Sequence, residues 1–99
     1  MKEKLLKIIN HYGINHQQKK LEEEIFELQE SITIHELKNS VSYEIPLTEL
    51  VDTEEQIVEE LADTWVLLKQ FQYYYNISTK DVKHVMNKKI DRTMDKMEK

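Results

Sequence analysis

The chain has no cysteine, and among its 99 residues there is one glycine, Gly13, and one proline, Pro46. Without thiols there is no disulfide framework and no thiolate-ligated metal, a usage compatible with a reducing compartment. Turn residues this scarce exclude a sheet protein, which needs them every few positions. No apolar run approaches the roughly 20 residues that cross a bilayer. The opening MKEKLLKIIN lacks the long apolar core and small-residue cleavage site of a secretory leader. The expectation is a cytoplasmic protein with no membrane partner. An excess of basic charge is missing too: the formal net charge is −5, which argues against a general nucleic-acid partner.

What the chain does contain is Lys, Glu, Leu and Ile in helical periodicity, so we read it as all-α, a single domain over residues 1–99. Lys2 to Tyr12 places Leu5, Ile8, Ile9 and Tyr12 on one stripe, with Gly13 as its stop. A second helix opens at Asn15 or His16, carries Leu21, Ile25, Leu28 and Ile32 as its seam, and ends near His35 to Lys38. Residues 39–52, with Ser40, Ser42 and Pro46, read as a loop. Thr53 followed by Gln56 is a capping-box signature for a third helix, whose apolar face is Ile57, Leu61, Ala62, Trp65, Leu68 and Phe71. Ser78 with Asp81 repeats that logic for a fourth, with a stripe of Val82, Val85, Met86, Ile90, Met94 and Met97. Four helices in a chain of this length predict a four-helix bundle.

Two carboxylate pairs, Glu24/Glu27 and Glu60/Asp63, stand three residues apart inside these patterns. Residues at that spacing are neighbours on a helix, so each pair is an acidic claw. Each lies one residue off an apolar seam, about 100° around the helix, so the carboxylates border the expected core. Opposed across two helices, four such charges repel unless a cation sits between them. Hard oxygen donors without cysteine or a histidine at matching spacing suit Mg²⁺, or Mn²⁺, better than zinc, and the Glu-x-x-His of di-iron bundles is absent. Magnesium usually completes its shell with substrate phosphates, which points to a phosphorylated ligand. Glu22, Glu23, Glu54, Glu55 and Glu59 read as ordinary solvated helix faces.

Taken in order, Gln17, Glu23-Glu24-Ile25-Phe26-Glu27-Leu28, Glu60-Leu61-Ala62-Asp63 and Asn87-Lys88-Lys89-Ile90-Asp91-Arg92 resemble the MazG-like branch of the all-α nucleoside triphosphate pyrophosphatases. The likeness spans nearly the whole chain, as E-E-x-x-E, then E-x-x-D, then N-x-K-x-x-R. It implies that Glu24, Glu27, Glu60 and Asp63 hold Mg²⁺, with Glu24 or Glu27 positioning the attacking water. It also implies that Asn87, Lys89 and Arg92 hold the triphosphate, that Gln17 lies near the nucleotide, and that the protein is a homodimer or homotetramer with its groove near the interface. The implied activity is hydrolysis of a nucleoside triphosphate to the monophosphate and pyrophosphate. Phosphoribosyl-ATP pyrophosphatase is the enzymatic rival, and a non-catalytic helical interaction module is the alternative of another class. Two features depart from the pattern: 32 residues separate Glu27 from Glu60, a longer gap than usual, and Ala62 stands where glycine is common. His16 and His84 receive no role, and Trp65 is assigned to packing. Tyr73, Tyr74 and Tyr75 could edge either a pocket or an interface.

Overall fold

A computed structural model describes residues 1–40 and 52–98. It is all-α, with four helices: α1 Lys2–Tyr12, α2 Ile14–Ser40, α3 Thr53–Tyr74 and α4 Thr79–Met97. Gly13 divides α1 from α2. Its φ of 92° and ψ of 154° lie in a region essentially restricted to glycine, and its N–H returns to the Ile9 carbonyl at 2.8 Å. The second helix starts one residue earlier than expected and runs past the expected end to Ser40. Asn39 and Ser40 are therefore helical, and the rest of the expected loop up to residue 51 lies outside the described residues.

At the start of α3 the cap is Asp52, whose carboxylate accepts from the Glu55 N–H at 3.1 Å. This corrects the capping-box reading. Thr53 is the first helical residue, and its hydroxyl is 2.6 Å from His35 Nδ1 on α2. The α3 terminus is a Schellman arrangement: Asn76 adopts φ 54°, its N–H reaches the Tyr73 carbonyl, and the Ile77 N–H reaches the Gln72 carbonyl. Ser78 then caps α4 through the Asp81 N–H, as expected.

Helices α2 and α3 pack antiparallel, since Gln17 meets Gln70 at one end and His35 meets Thr53 at the other. The inward positions follow a 4-3-4 rhythm on both: Gln17, Leu21, Glu24, Leu28, Ser31 and His35 against Thr53, Ile57, Glu60, Thr64, Leu67 and Phe71. This seam is largely polar. Helix α1 closes against α3 with Leu5 and Ile9, and Ile9 is fully buried.

The apolar stripes expected to form the core are thus split: Leu21, Leu28, Ile57 and Phe71 face the seam, and the rest lie elsewhere. Ile25 and Ile32 on α2, and Leu61, Trp65 and Leu68 on α3, are exposed, Trp65 at 61 %. Leu61 and Asp63 differ by two positions, about 200° of rotation, so they emerge on opposite flanks of the seam. One flank carries acids and α1; the other carries the exposed apolar residues. Helix α4 leaves this body: none of its residues is buried, and Val85, Met86, Ile90, Met94 and Met97 are all exposed. The radius of gyration of 17.6 Å compares with about 13 Å for a compact chain of this size. Among the described residues no helix is long and apolar enough to cross a membrane.

Candidate functional site

Midway along the seam, Glu24 from α2 meets Glu60 and Asp63 from α3. A carboxylate oxygen of each lies within 4.8 Å of the others. The helical spacing brings this about: Glu24 and Glu60 occupy inward positions, and Asp63, three residues beyond Glu60, sits on the adjoining turn. Glu24 is 5 % exposed, Glu60 is half-buried and Asp63 is exposed. The cluster thus has a closed inner side and an open outer one. Glu27 is exposed and stands outside this tight group. It is still near enough for its charge to act on Glu60.

The electrostatics record the crowding. The Glu60 carboxyl is held above the ordinary glutamate range by burial first, then by the negative charges of Glu27, Glu24 and Asp63. Lys20 gives partial relief, with its Nζ 3.3 Å from Glu24 Oε1. The lysine is raised above its ordinary value, chiefly by that hydrogen bond and by the Glu24 charge. On the inner side Glu24 Oε2 and Glu60 Oε2 are buried with no hydrogen-bond partner. A buried carboxylate oxygen without a donor is costly, and the raised Glu60 carboxyl, which is also held up by hydrogen bonding with Glu24, eases that cost.

The donor set fits a hard divalent cation. Oxygen ligands about 2.0 to 2.1 Å from Mg²⁺ lie roughly 3 to 4 Å from one another, so small side-chain rotations within the 4.8 Å group are sufficient. Glu24, Glu60 and Asp63 could hold the ion, and Glu27 is one helical turn from Glu24. Among the described residues no nitrogen or sulfur donor joins them, so the donor set is oxygen alone.

The open side of the cluster faces a groove of about 740 Å³, between α1, the first half of α2 and the second half of α3. Glu24, Asp63, Lys19 and Lys20 line one part, and Tyr12, His16, Gln17 and Gln70 another. Tyr12 and His16 stack with ring centroids 5.0 Å apart and planes 19° from parallel. Gln17 is buried: it donates from Nε2 to Gln70 Oε1 at 2.8 Å, and its Oε1 lies 2.8 Å from His16 Nδ1.

Of the residues singled out from sequence, the fold therefore unites Glu24, Glu60 and Asp63 in one cluster with Glu27 close by, and Glu24, Asp63 and Gln17 line one groove. Asn87, Lys89 and Arg92 are exposed on α4, and no α4 residue lines the groove. Sequence reasoning missed Tyr12, His16, Lys20 and Gln70. Their signal was faint: Tyr12 counted as core and His16 as a lone histidine. The break at Gly13 and the packing of α2 against α3 bring the four to one groove.

The class of molecule defined by these features is an all-α protein with a partly buried carboxylate cluster beside a groove. Comparison of the chain with family models, curated proteins and solved structures finds no match in any of the three.

Proposed function

We propose that the protein is a Mg²⁺-dependent nucleoside triphosphate pyrophosphohydrolase, cleaving between the α and β phosphates to release a monophosphate and pyrophosphate. The observation that carries this reading is the trio Glu24, Glu60 and Asp63, two of whose buried oxygens are orphaned, beside a groove of nucleotide size. The order of motifs in the sequence supports it. A role in clearing unwanted nucleotides from the cytoplasmic pool follows from the same resemblance.

In this reading a bound Mg²⁺ supplies charge neutralisation at the phosphate oxygens and a more acidic water. Glu24, Glu60 and Asp63 hold the ion and fix its place relative to the groove. Glu27, exposed at the edge of the cluster, is free to accept a proton from the attacking water, and Glu24 shares that side of α2. Lys20, paired with Glu24, and Lys19 line the same groove and would offer their ammonium groups to the phosphates there. Fixed positive charge there stabilises the negative charge that grows on the leaving pyrophosphate.

We assign Asn87, Lys89 and Arg92 to the triphosphate as contributions from the α4 of a second copy, in a homodimer or homotetramer. The chain's surface supports association. Its accessible area is 8491 Å² for 12.0 kDa, against about 6,000 Å² for a folded monomer of that mass. The difference is on the scale of a stable subunit interface.

The test is direct: purified protein, Mg²⁺ and each canonical nucleoside triphosphate, with pyrophosphate measured. Release abolished by EDTA and by Glu24→Gln is expected. If Glu24→Gln and Asp63→Asn both retain full activity, the site is misplaced. Should no nucleotide, phosphoribosyl-ATP included, bind in a metal-dependent way, the apolar flank and α4 stripe favour a helical interaction module.

A further inference from the structure

We propose that Gln72 is a latch: it fixes the direction in which α4 leaves the body and, on the association proposed above, the direction from which α4 meets a second copy.

Helix α4 has no buried residue, and the helices that pack broadly on one another are α1, α2 and α3. Its direction is therefore decided where the chain passes from α3 to α4, at residues 75–78. The backbone there ties each side to its own helix. The N–H groups of Tyr75, Asn76 and Ile77 return to carbonyls of α3, those of Phe71, Tyr73 and Gln72. From Ser78 onward the bonds belong to α4: the Ser78 hydroxyl accepts from the Asp81 N–H, and its carbonyl accepts from the Val82 N–H. Ser78 itself is extended, with φ −75° and ψ 146°, and among the described residues no backbone hydrogen bond spans it. Rotation at that one joint would swing the whole helix.

The Gln72 side chain crosses the joint. Its Nε2 donates to the Ile77 carbonyl at 3.1 Å and to the Thr79 hydroxyl at 3.0 Å. Among the described residues it is the one side chain that hydrogen-bonds from α3 into α4. The partners themselves fix which way the amide points: a backbone carbonyl can only accept, and the Lys69 ammonium, 3.2 Å from Gln72 Oε1, can only donate. Lys69 is steadied in turn over the Tyr73 ring, 5.8 Å from its centroid, and Lys2 of α1 stands 5.7 Å from the same ring. Gln72 is thus gripped at both ends of its amide, by the body on one side and by the arm on the other.

Length makes the joint matter. The 19 residues of α4 extend about 28 Å. A tilt of about 20° at Thr79 displaces the far end by roughly 10 Å, and Lys89, halfway along, by roughly 5 Å. An arm kept in one direction also gives up less freedom when it docks. Loss of the latch should therefore weaken association without unwinding the helix, which Ser78 still caps.

The chain has no cysteine, so Glu59→Cys on α3 and Asp95→Cys on α4, both at exposed positions, supply the only two thiols for nitroxide labels. Pulsed electron spin resonance on the full chain, with labelled copies diluted into unlabelled ones, reads the α3–α4 distance within one copy. A single narrow distance is expected in the parent. Gln72→Leu keeps the bulk and removes the amide, and should broaden the distribution several-fold. Gln72→Glu should do the same, since it keeps Lys69 as a partner but sets an oxygen against the Ile77 carbonyl. Circular dichroism should show equal helix content in parent and variants. Light scattering should show a dissociation constant raised by roughly tenfold, the loss expected for one or two hydrogen bonds. Should Gln72→Leu fail to fold, Gln72→Glu decides by the same measure. A distribution as narrow in the variants as in the parent overturns the latch, and so does a broad one in the parent. If the parent is monomeric at every concentration yet its narrow distance broadens in the variants, the latch stands and the association falls.

Discussion

Glu24 is the residue on which most depends, because it is both the most buried of the acids and the one neutralised by a neighbour. One of its oxygens is paired to Lys20, and the other is buried without a hydrogen-bond partner. Glu24→Gln keeps the shape and removes the charge. Outer partners of metal ligands already cost about 10- to 100-fold when lost, so losing the ligand itself should lower activity by roughly a hundredfold or more. Thermal stability of the metal-free protein should not fall, since a repulsive charge has gone. Pyrophosphate release and melting curves in EDTA check both halves.

Glu60 gives a prediction in pH. Its proton is held more tightly in the folded chain than in the unfolded one, chiefly because of burial. In the window from the ordinary glutamate range up to the raised folded value, the native state binds more protons, so stability falls as pH rises through it. Below that window no penalty exists; above it the penalty is complete. Glu60→Gln should therefore raise the melting temperature of the metal-free protein at about pH 7.5 and leave it nearly unchanged at about pH 4, with Mg²⁺ shrinking the gap at the higher pH. An equal gain at both pH values would contradict the raised carboxyl.

At the scale of elements, the helix ends carry the local code. Gly13 adopts a backbone conformation that other residues reach only with strain, and an added Cβ would meet nothing within 4 Å. Gly13→Ala therefore costs strain without a clash, on the order of 1 to 3 kcal/mol. Denaturant titration measures it. Ser78→Ala removes the α4 cap and should cost about 1 kcal/mol of helix stability. Circular dichroism on the full chain would register this as fraying of α4, and unchanged helicity would mean that α4 is held by contacts beyond its cap.

These ends were legible in the sequence because they are local: a glycine after an apolar stripe, a serine three residues before an aspartate. The misreading at Thr53 has a local cause too. Asp52 and Thr53 are both good caps, and Thr53 is drawn into the helix because its hydroxyl has His35 across the seam as a partner. Which helical face turns inward was much less legible. Periodicity marks every apolar contact a helix makes, and cannot tell a contact inside the chain from one with another chain.

At the scale of the whole molecule, the exposed flank of Ile25, Ile32, Leu61, Trp65 and Leu68, with the bare stripe of α4, is more apolar surface than a monomer ordinarily presents to water. Helix α4 carries six Lys and Arg against three Asp, whereas α2 and α3 together carry eleven Asp and Glu against four Lys. The basic α4 and the acidic α2–α3 pair are thus opposite in charge, the basis on which we propose that two copies associate. Trp65 is the chain's single tryptophan, which makes it a clean reporter. We expect its emission to be that of a buried indole at micromolar protein and to shift toward that of a water-exposed one on dilution, in step with a fall in mass by light scattering. Leu61→Glu should give the exposed spectrum at every concentration. A wild-type monomer with an exposed tryptophan at all concentrations would remove the subunit interface and, with it, the role assigned to Lys89 and Arg92.

The sequence by itself determined that the protein is helical, where its helices begin and end to within a few residues, and that two acidic pairs recur three residues apart. All of these depend on neighbours within about one helical turn, where spacing is enough. Tertiary structure decided which faces meet: that Glu24 and Glu60 lie in the seam while Ile25 and Leu61 face out, that Glu27 stands apart, and that Tyr12, His16 and Gln70 share a groove with Asp63. The physical reason is rotation. A shift of one residue turns a side chain by about 100°, and that shift is set by packing against distant parts of the chain, not by the residue's own neighbours.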